Sequence, residues 1–276
     1  MAILTIAREM GAIVGGEELL LCNALNLTCI SKSTLTRRFT DLGIAENFLE
    51  RFDECRPGIV GSITNSAGYY WETLRTVIMR ELLQDNIAIF GRGGNFLLNG
   101  LVDFLSIRLI APEDYRVHHV ASANSISESE ALKKIRQSDA DREKFCNYYY
   151  GKSWSDPRNY DLVINTAKIS MDELPQLIAP LLPEAVTEEC KTELQILIQT
   201  QIIKHTLFAV PELQLRYPDI FCDIDGTVTL KGNVPSSAAA RRAVEVVRNI
   251  PGVTAVRSEL VIVHNDIPAR LPPFMH

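Results

Sequence analysis

Five short, continuously apolar runs constrain this chain more than any other feature. Residues 3–7 (ILTIA), 27–30 (LTCI), 87–90 (IAIF), 105–110 (LSIRLI) and 162–165 (LVIN) are mostly β-branched and show no apolar–polar alternation. A strand of that kind has both faces buried, and a sheet covered on both faces is a parallel one. Helical patterns fall between the runs: one from Glu17, one over 69–84, one over 112–123, and a long one opening at Ser127. Ser127 and Glu130 make a capping box there, and Gly151 offers a stop after Tyr150. Strand–helix alternation of this sort predicts an α/β fold with a doubly wound parallel sheet.

The pattern changes after Pro180 and Pro183, where the prolines and the polar Glu188-Glu189 read as a linker. This predicts a domain over 1–185 and a smaller one over 186–276. The second begins with a further helix, then a strand-like FCDID, Gly226, the strand TVTL and Gly232. A helix from Ser236 follows, with Ala239, Ala243, Val246, Val247 and Ile250 on one face, and a last strand is expected over 259–263.

Composition excludes several function classes. A net charge of -6 argues against a general nucleic-acid backbone binder. Apolar stretches are broken well short of the roughly 18 residues a membrane span needs, so no transmembrane segment is expected. MAILTIAREM lacks a basic start and a long apolar core, so no secretory signal is expected. The six cysteines contain no C-x-x-C pair and read as reduced, mostly buried thiols of a cytoplasmic protein, with no metal site. His118 and His119 project about 100° apart on a helix and make a poor metal pair. His264 and Asp266 stand close in sequence but alone.

Three stretches carry candidate chemistry. Gly11-Ala-Ile-Val-Gly15-Gly16 lies between a strand and a helix, where backbone N–H groups and the helix N-terminus suit a phosphate. The spacing fits G-x-x-x-x-G-K-[ST], but Glu17 and Glu18 replace the Lys and the Ser/Thr. A charge 4 Å from a phosphate is worth about 4 kcal/mol at an effective dielectric of 20, so the sign of that charge matters. Arg8, ending the first strand, is the nearest cation. A tight turn followed by acids at a helix start accounts for the same residues. Gly91-Arg92-Gly93-Gly94-Asn95 follows another strand, at the end where open α/β sheets bind ligands, and Arg92 there suits a bidentate phosphate contact. Arg136, Asp139 and Arg142 share a helical face about 120° wide. Alone, they amount to an ion-pair ladder worth a few tenths of a kcal/mol per pair.

Taken together, ITIARE with its glycine loop, IFGRGGNFLL, SIRLIAPEDYRV, EALKKIRQSDADREKFCNYYYGKSW and YDLVINT resemble the cytidylate kinase-like family of P-loop phosphotransferases, over residues 1–180. The resemblance implies a P-loop kinase-like sheet with a helical lid, and ATP-dependent phosphorylation of a nucleoside monophosphate, CMP or dCMP, with Mg²⁺. On its motifs, Arg8, Gly11, Gly15, Gly16, Gly91 and Arg92 would bind nucleotide phosphates. Arg136 and Arg142 would act from the lid, with Asp139 orienting them. Gly93 stands where cytidylate kinases carry an Asp. The alternative is a pseudo-kinase, a nucleotide sensor or scaffold, and Glu17-Glu18 is the feature that favours it. Residues 188–264, through DGTVTL-x-G-x-V, IPGV-x-x-V and LVIV, resemble a BON domain, which implies a protein or phospholipid partner.

Overall fold

A computed structural model describes residues 2–41, 64–84, 86–183 and 188–263. In chain order the described elements are β1 (Ile3–Arg8), α1 (Glu17–Ala24), β2 (Thr28–Ile30), α2 (Lys32–Asp41), α3 (Thr64–Glu81), β3 (Ile87–Phe90), α4 (Gly94–Leu98), β4 (Leu105–Ile110), α5 (Glu113–Asn124), α6 (Glu128–Tyr150), β5 (Leu162–Asn165), α7 (Leu174–Ile178), α8 (Glu188–Phe208), β6 (Arg216–Cys222), β7 (Thr227–Val234), α9 (Ser237–Arg248) and β8 (Ala255–Ile262). They form two compact units, Met1–Ala67 with Arg80–Thr187, and Gly68–Met79 with Glu188–His276. Gly68–Met79, part of α3, belongs with the second unit.

The first unit is built on a five-stranded sheet in the order β2-β3-β1-β4-β5, parallel throughout. All five apolar runs are strands, and in β1, β3 and β4 nearly every residue is buried. Leu4, Ile6, Ala88, Phe90, Ile107 and Leu109 join Leu21 and Cys22 of α1 and Leu174 and Ile178 of α7 in one core. β1 and β3 are neighbours, yet β1 leads outward to β2 while β3 crosses to β4 on the other side. That divergence opens a crevice at their carboxyl ends, where open α/β sheets bind ligands.

The long helix α6 begins and ends where its residues dictate. The Ser127 hydroxyl accepts from the Glu130 N–H at 3.2 Å, and Gly151 closes the helix in the left-handed region at φ +63°.

The second unit carries a three-stranded sheet, β6-β7-β8, with β6 antiparallel and β8 parallel to β7. Helices α8 and α9 supply Ile203, Leu207, Ala243 and Val247 to a core with Ile220, Val228 and Leu230. The β6–β7 turn requires Gly226: at φ +81° a Cβ there would lie 2.3 Å from the Gly252 carbonyl oxygen. Thr73 of α3 meets His205 of α8 at 3.1 Å in the same unit.

Three expectations need correction. The strand expected through FCDID ends at Cys222, and Asp223 opens the turn, its carbonyl accepting from the Gly226 N–H at 3.0 Å. Glu188-Glu189 open α8 and are not linker; acids suit the positive end of a helix. β8 starts at Ala255, ahead of the expected 259. It pairs with β7 along its whole length, while Val256 is the single strongly apolar residue among its first five, AVRSE. His264 and Asp266 lie outside the described residues.

Candidate functional site

The crevice between β1 and β3 is a narrow cleft, partly open to solvent. Thr5 to Arg8 form one wall, Gly91 to Asn95 another, and Arg142, Phe145, Cys146 and Trp154 cover it. It therefore gathers Arg8, Gly91, Arg92 and Arg142 of the expected site.

The Gly91 N–H donates to the Ile6 carbonyl at 2.9 Å, tying the second glycine segment to β1. Gly91, Arg92 and Gly93 all have positive φ (74°, 57° and 61°), a conformation that costs an arginine about a kcal/mol or more. It holds Arg92, 8% exposed, against the cleft. The Tyr150 hydroxyl donates to the Arg92 carbonyl at 2.5 Å, and its ring covers Gly93 so closely that a Cβ there would lie 2.4 Å from Cε2. Tyr150 thus occupies the space a side chain at position 93 would need.

At the other glycine segment the chain supplies its own anions. Gly11, at φ +86°, packs where a Cβ would lie 2.8 Å from the Arg116 carbonyl oxygen, whereas Gly15 and Gly16 face open space. Gly16 caps α1 in the left-handed region with no side-chain help. The Glu17 carboxylate accepts from the Val14 N–H at 2.7 Å, and Glu18 pairs with Arg8. Arg8 also lies 5.6 Å from the centre of the Phe90 ring. The loop is pinned further by Ala12 N–H to the Glu9 carbonyl at 3.1 Å, and by the Thr166 hydroxyl to the Ala12 carbonyl at 2.6 Å.

Asp139 is the hub of a charge chain linking α6 to the strand ends. Its Oδ1 accepts from Arg142 Nη1 at 3.2 Å and from the Met10 N–H at 3.0 Å, and its Oδ2 from Arg116 Nη1 at 2.6 Å. Arg116 continues to Glu9 at 3.4 Å, and Glu9 to Arg108 at 3.2 Å. Arg108 stacks 4.4 Å from the Trp154 ring and donates to the Trp154 carbonyl at 2.9 Å. Alternating signs at these distances hold Arg142 in a fixed place at the cleft.

Arg136 is not brought to the cleft. Its side chain is 65% exposed, and its guanidinium makes a two-point pair with Glu113 of α5, both contacts at 3.1 Å. That pair holds the Glu113 carboxyl below its ordinary range and raises Arg136.

Several site residues escaped the sequence reading. The Thr5 hydroxyl lines the cleft, is 2% exposed, and has no hydrogen-bond partner among the described residues. Its burial inside an apolar strand hid it. Arg108 and Arg116 lie within the quoted motifs, yet only the fold joins them to Glu9, about a hundred residues away, whose pairing with Arg8 in sequence carries part of the family resemblance. Tyr150, the last residue of α6, packs against Gly93.

Residues 3–168 match the cytidylate kinase-like family. The chain belongs to that family. A BON domain matches residues 198–264, within the second unit. The cytidylate kinase of Sulfolobus acidocaldarius is 40% identical over 96 residues, covering 34% of this chain and 52% of that protein. A uronate isomerase of Corynebacterium glutamicum is 31% identical over 98 residues, 36% of this chain and 19% of that one. This family member thus spans about half the length of the cytidylate kinase and about a fifth of the isomerase. A solved structure of an uncharacterized protein from Eubacterium ventriosum aligns with 66% of this chain and 98% of its own, at TM-score 0.48 and 19% identity. Among the described residues, no helix is long and apolar enough to cross a membrane.

Proposed function

We propose that this kinase-like protein transfers a phosphoryl group from ATP to a nucleoside monophosphate, CMP or dCMP. The observation that supports this most is the gathering of Arg8, Arg92 and Arg142 around one cleft at the β1/β3 switch point, with the unsatisfied Thr5 hydroxyl among them. Phosphoryl transfer is mostly positioning and charge stabilisation, so it needs such cations and no protein nucleophile. Arg92 would hold the acceptor phosphate, one of whose oxygens attacks the γ-phosphorus as the bond to ADP breaks. Arg142, held by Asp139, would stabilise the charge on the moving group. Gly15, Gly16 and Gly91 would let backbone approach the phosphates, and Gly11, packed against Arg116, would fix the loop that carries them. Arg136 would take part only after leaving Glu113.

Mg²⁺ fits poorly on the protein side. The hydroxyl that holds it in a G-x-x-x-x-G-K-[ST] loop is replaced by Glu18, already paired with Arg8. The described residues also contain no cluster of three or more His, Cys, Asp or Glu suited to a metal.

A second reading, a nucleotide sensor or scaffold in the cytoplasm, is favoured by one observation: Glu17 and Glu18 fill the loop with the chain's own carboxylates. In either reading the kinase-like part is residues 1–185, and the BON part, 186–276, engages a protein or phospholipid partner. A coupled assay of ADP release with CMP, dCMP and other monophosphates, run beside calorimetric titrations, separates them. With MgATP as the titrant, ADP release on adding a monophosphate supports the kinase; MgATP binding without ADP release supports the sensor; no MgATP binding refutes the kinase.

A further inference from the structure

The two edges of the second unit's sheet are unlike. The β6 edge carries Pro218 and a register shift between Arg216 and Asp219, devices that blunt an edge against pairing. The β8 edge has neither. Its eight residues contain no proline and no lysine, and they run beside β7 in unbroken register from Ala255 to Ile262. Among the described residues β8 pairs with β7 alone, so its other side presents a row of backbone donors and acceptors. Val261, Ile262 and Val263 are 56%, 43% and 43% exposed at its end. An open, regular edge with exposed apolar side chains is a template for another strand.

The side chains say which strand. In a two-fold pair with the axis perpendicular to the sheet, each face continues into the same face of the second copy. The axis must then pass through a residue and not between two. Through Ser258, Arg257 stands opposite Glu259 of the second copy, and Glu259 opposite its Arg257. Val256 meets Leu260, and Ala255 meets Val261. Moving the axis to Arg257 or to Glu259 sets like charges directly against each other, which destabilises an antiparallel pair. Lys231 holds the Glu259 carboxylate at 3.2 Å on the outer face, the same face as Arg257 by alternation. The sequence AVRSELV is thus complementary to itself, in charge and in apolar character, when run antiparallel.

We propose that β8 pairs antiparallel with β8 of a second copy about Ser258, joining two three-stranded sheets into one of six strands. This is independent of the phosphotransfer reading.

Sedimentation velocity of the full chain over a wide concentration range, with native mass spectrometry, tests it. The wild type is expected to dimerise. R257E sets carboxylate against carboxylate at both cross-strand pairs, and E259R sets guanidinium against guanidinium. Each variant alone therefore weakens association at least about tenfold, by turning two attractive pairs into repulsive ones. Mixed in equal amounts, the two variants have complementary edges, and heterodimer should exceed both homodimers. That recovery also shows both variants folded. A wild type that stays monomeric, including one that associates only with a different protein or with lipid, overturns the proposal. So does a dimer indifferent to both substitutions, or a mixture without heterodimer enrichment.

Discussion

If Glu18 competes with a bound phosphate for Arg8, then Glu18→Gln should strengthen nucleotide binding at a small cost in stability. The glutamine keeps the side chain's size and removes its charge. In the structure Arg8 is 20% exposed and Glu18 25% exposed, so the pair is neither dry nor fully screened. Exposed ion pairs contribute about 0.2–1 kcal/mol, and this one belongs near the top of that range. The loss of folding stability should therefore stay at about 1 kcal/mol or below. Binding changes through two effects of the same sign: Arg8 is released toward the donor phosphates, and one carboxylate no longer repels them. Together these amount to about 1–2 kcal/mol after solvent screening, or roughly 5- to 30-fold in Kd. Calorimetric titration of MgATP into wild type and variant, at low and high salt, measures the change. The gain should shrink as salt rises, since both effects are coulombic. An affinity for MgATP that is unchanged or weaker in Glu18→Gln would falsify the idea that the loop is occupied by its own acid.

Asp139→Ala removes the acceptor shared by Arg116, Arg142 and the Met10 N–H, and it should cost about 2–3 kcal/mol in urea unfolding, since Arg116 retains Glu9 and the Ala111 carbonyl. Arg142→Ala should lower kcat for CMP at least about tenfold while moving stability much less than Asp139→Ala does; an unchanged rate removes Arg142 from the reaction. Gly93→Ala meets both a left-handed backbone and the Tyr150 ring, and should destabilise by about 2–4 kcal/mol, with part of that recovered in a Tyr150→Ala background by double-mutant cycle. Glu113 has its carboxyl lowered by the bond to Arg136, so the stability the pair adds is present above the ordinary carboxylate range and is lost as pH falls through the lowered value. Arg136→Ala should return the Glu113 titration upward toward 4.5, read by carboxyl NMR.

What could be read in advance follows the range of the interactions involved. β3 and β4 were legible to the residue because burial on both faces keeps their ends apolar, and Ser127 and Gly151 bound α6 through contacts within a turn. β8 was half-legible for the opposite reason: an open edge tolerates Arg257, Ser258 and Glu259, and their exposure erases the apolar pattern that marks an inner strand. The site divides the same way. Arg92 was legible because it follows a buried strand among glycines, and its left-handed backbone is one that glycine neighbours permit. Arg136 and Arg142 shared a helical face only within about 120°, and that spread sends one guanidinium to Glu113 and the other to Asp139. Periodicity places a residue on a helix; the partner across the gap decides what it does. Glu17 and Glu18 show the limit most clearly. Their charge predicts repulsion of a phosphate, but only the folded loop reveals that they are already satisfied, by Val14 and by Arg8. A carboxylate with its own partners in the loop must be displaced before a phosphate takes its place, so the free-energy balance of that exchange sets how tightly a nucleotide phosphate is held there.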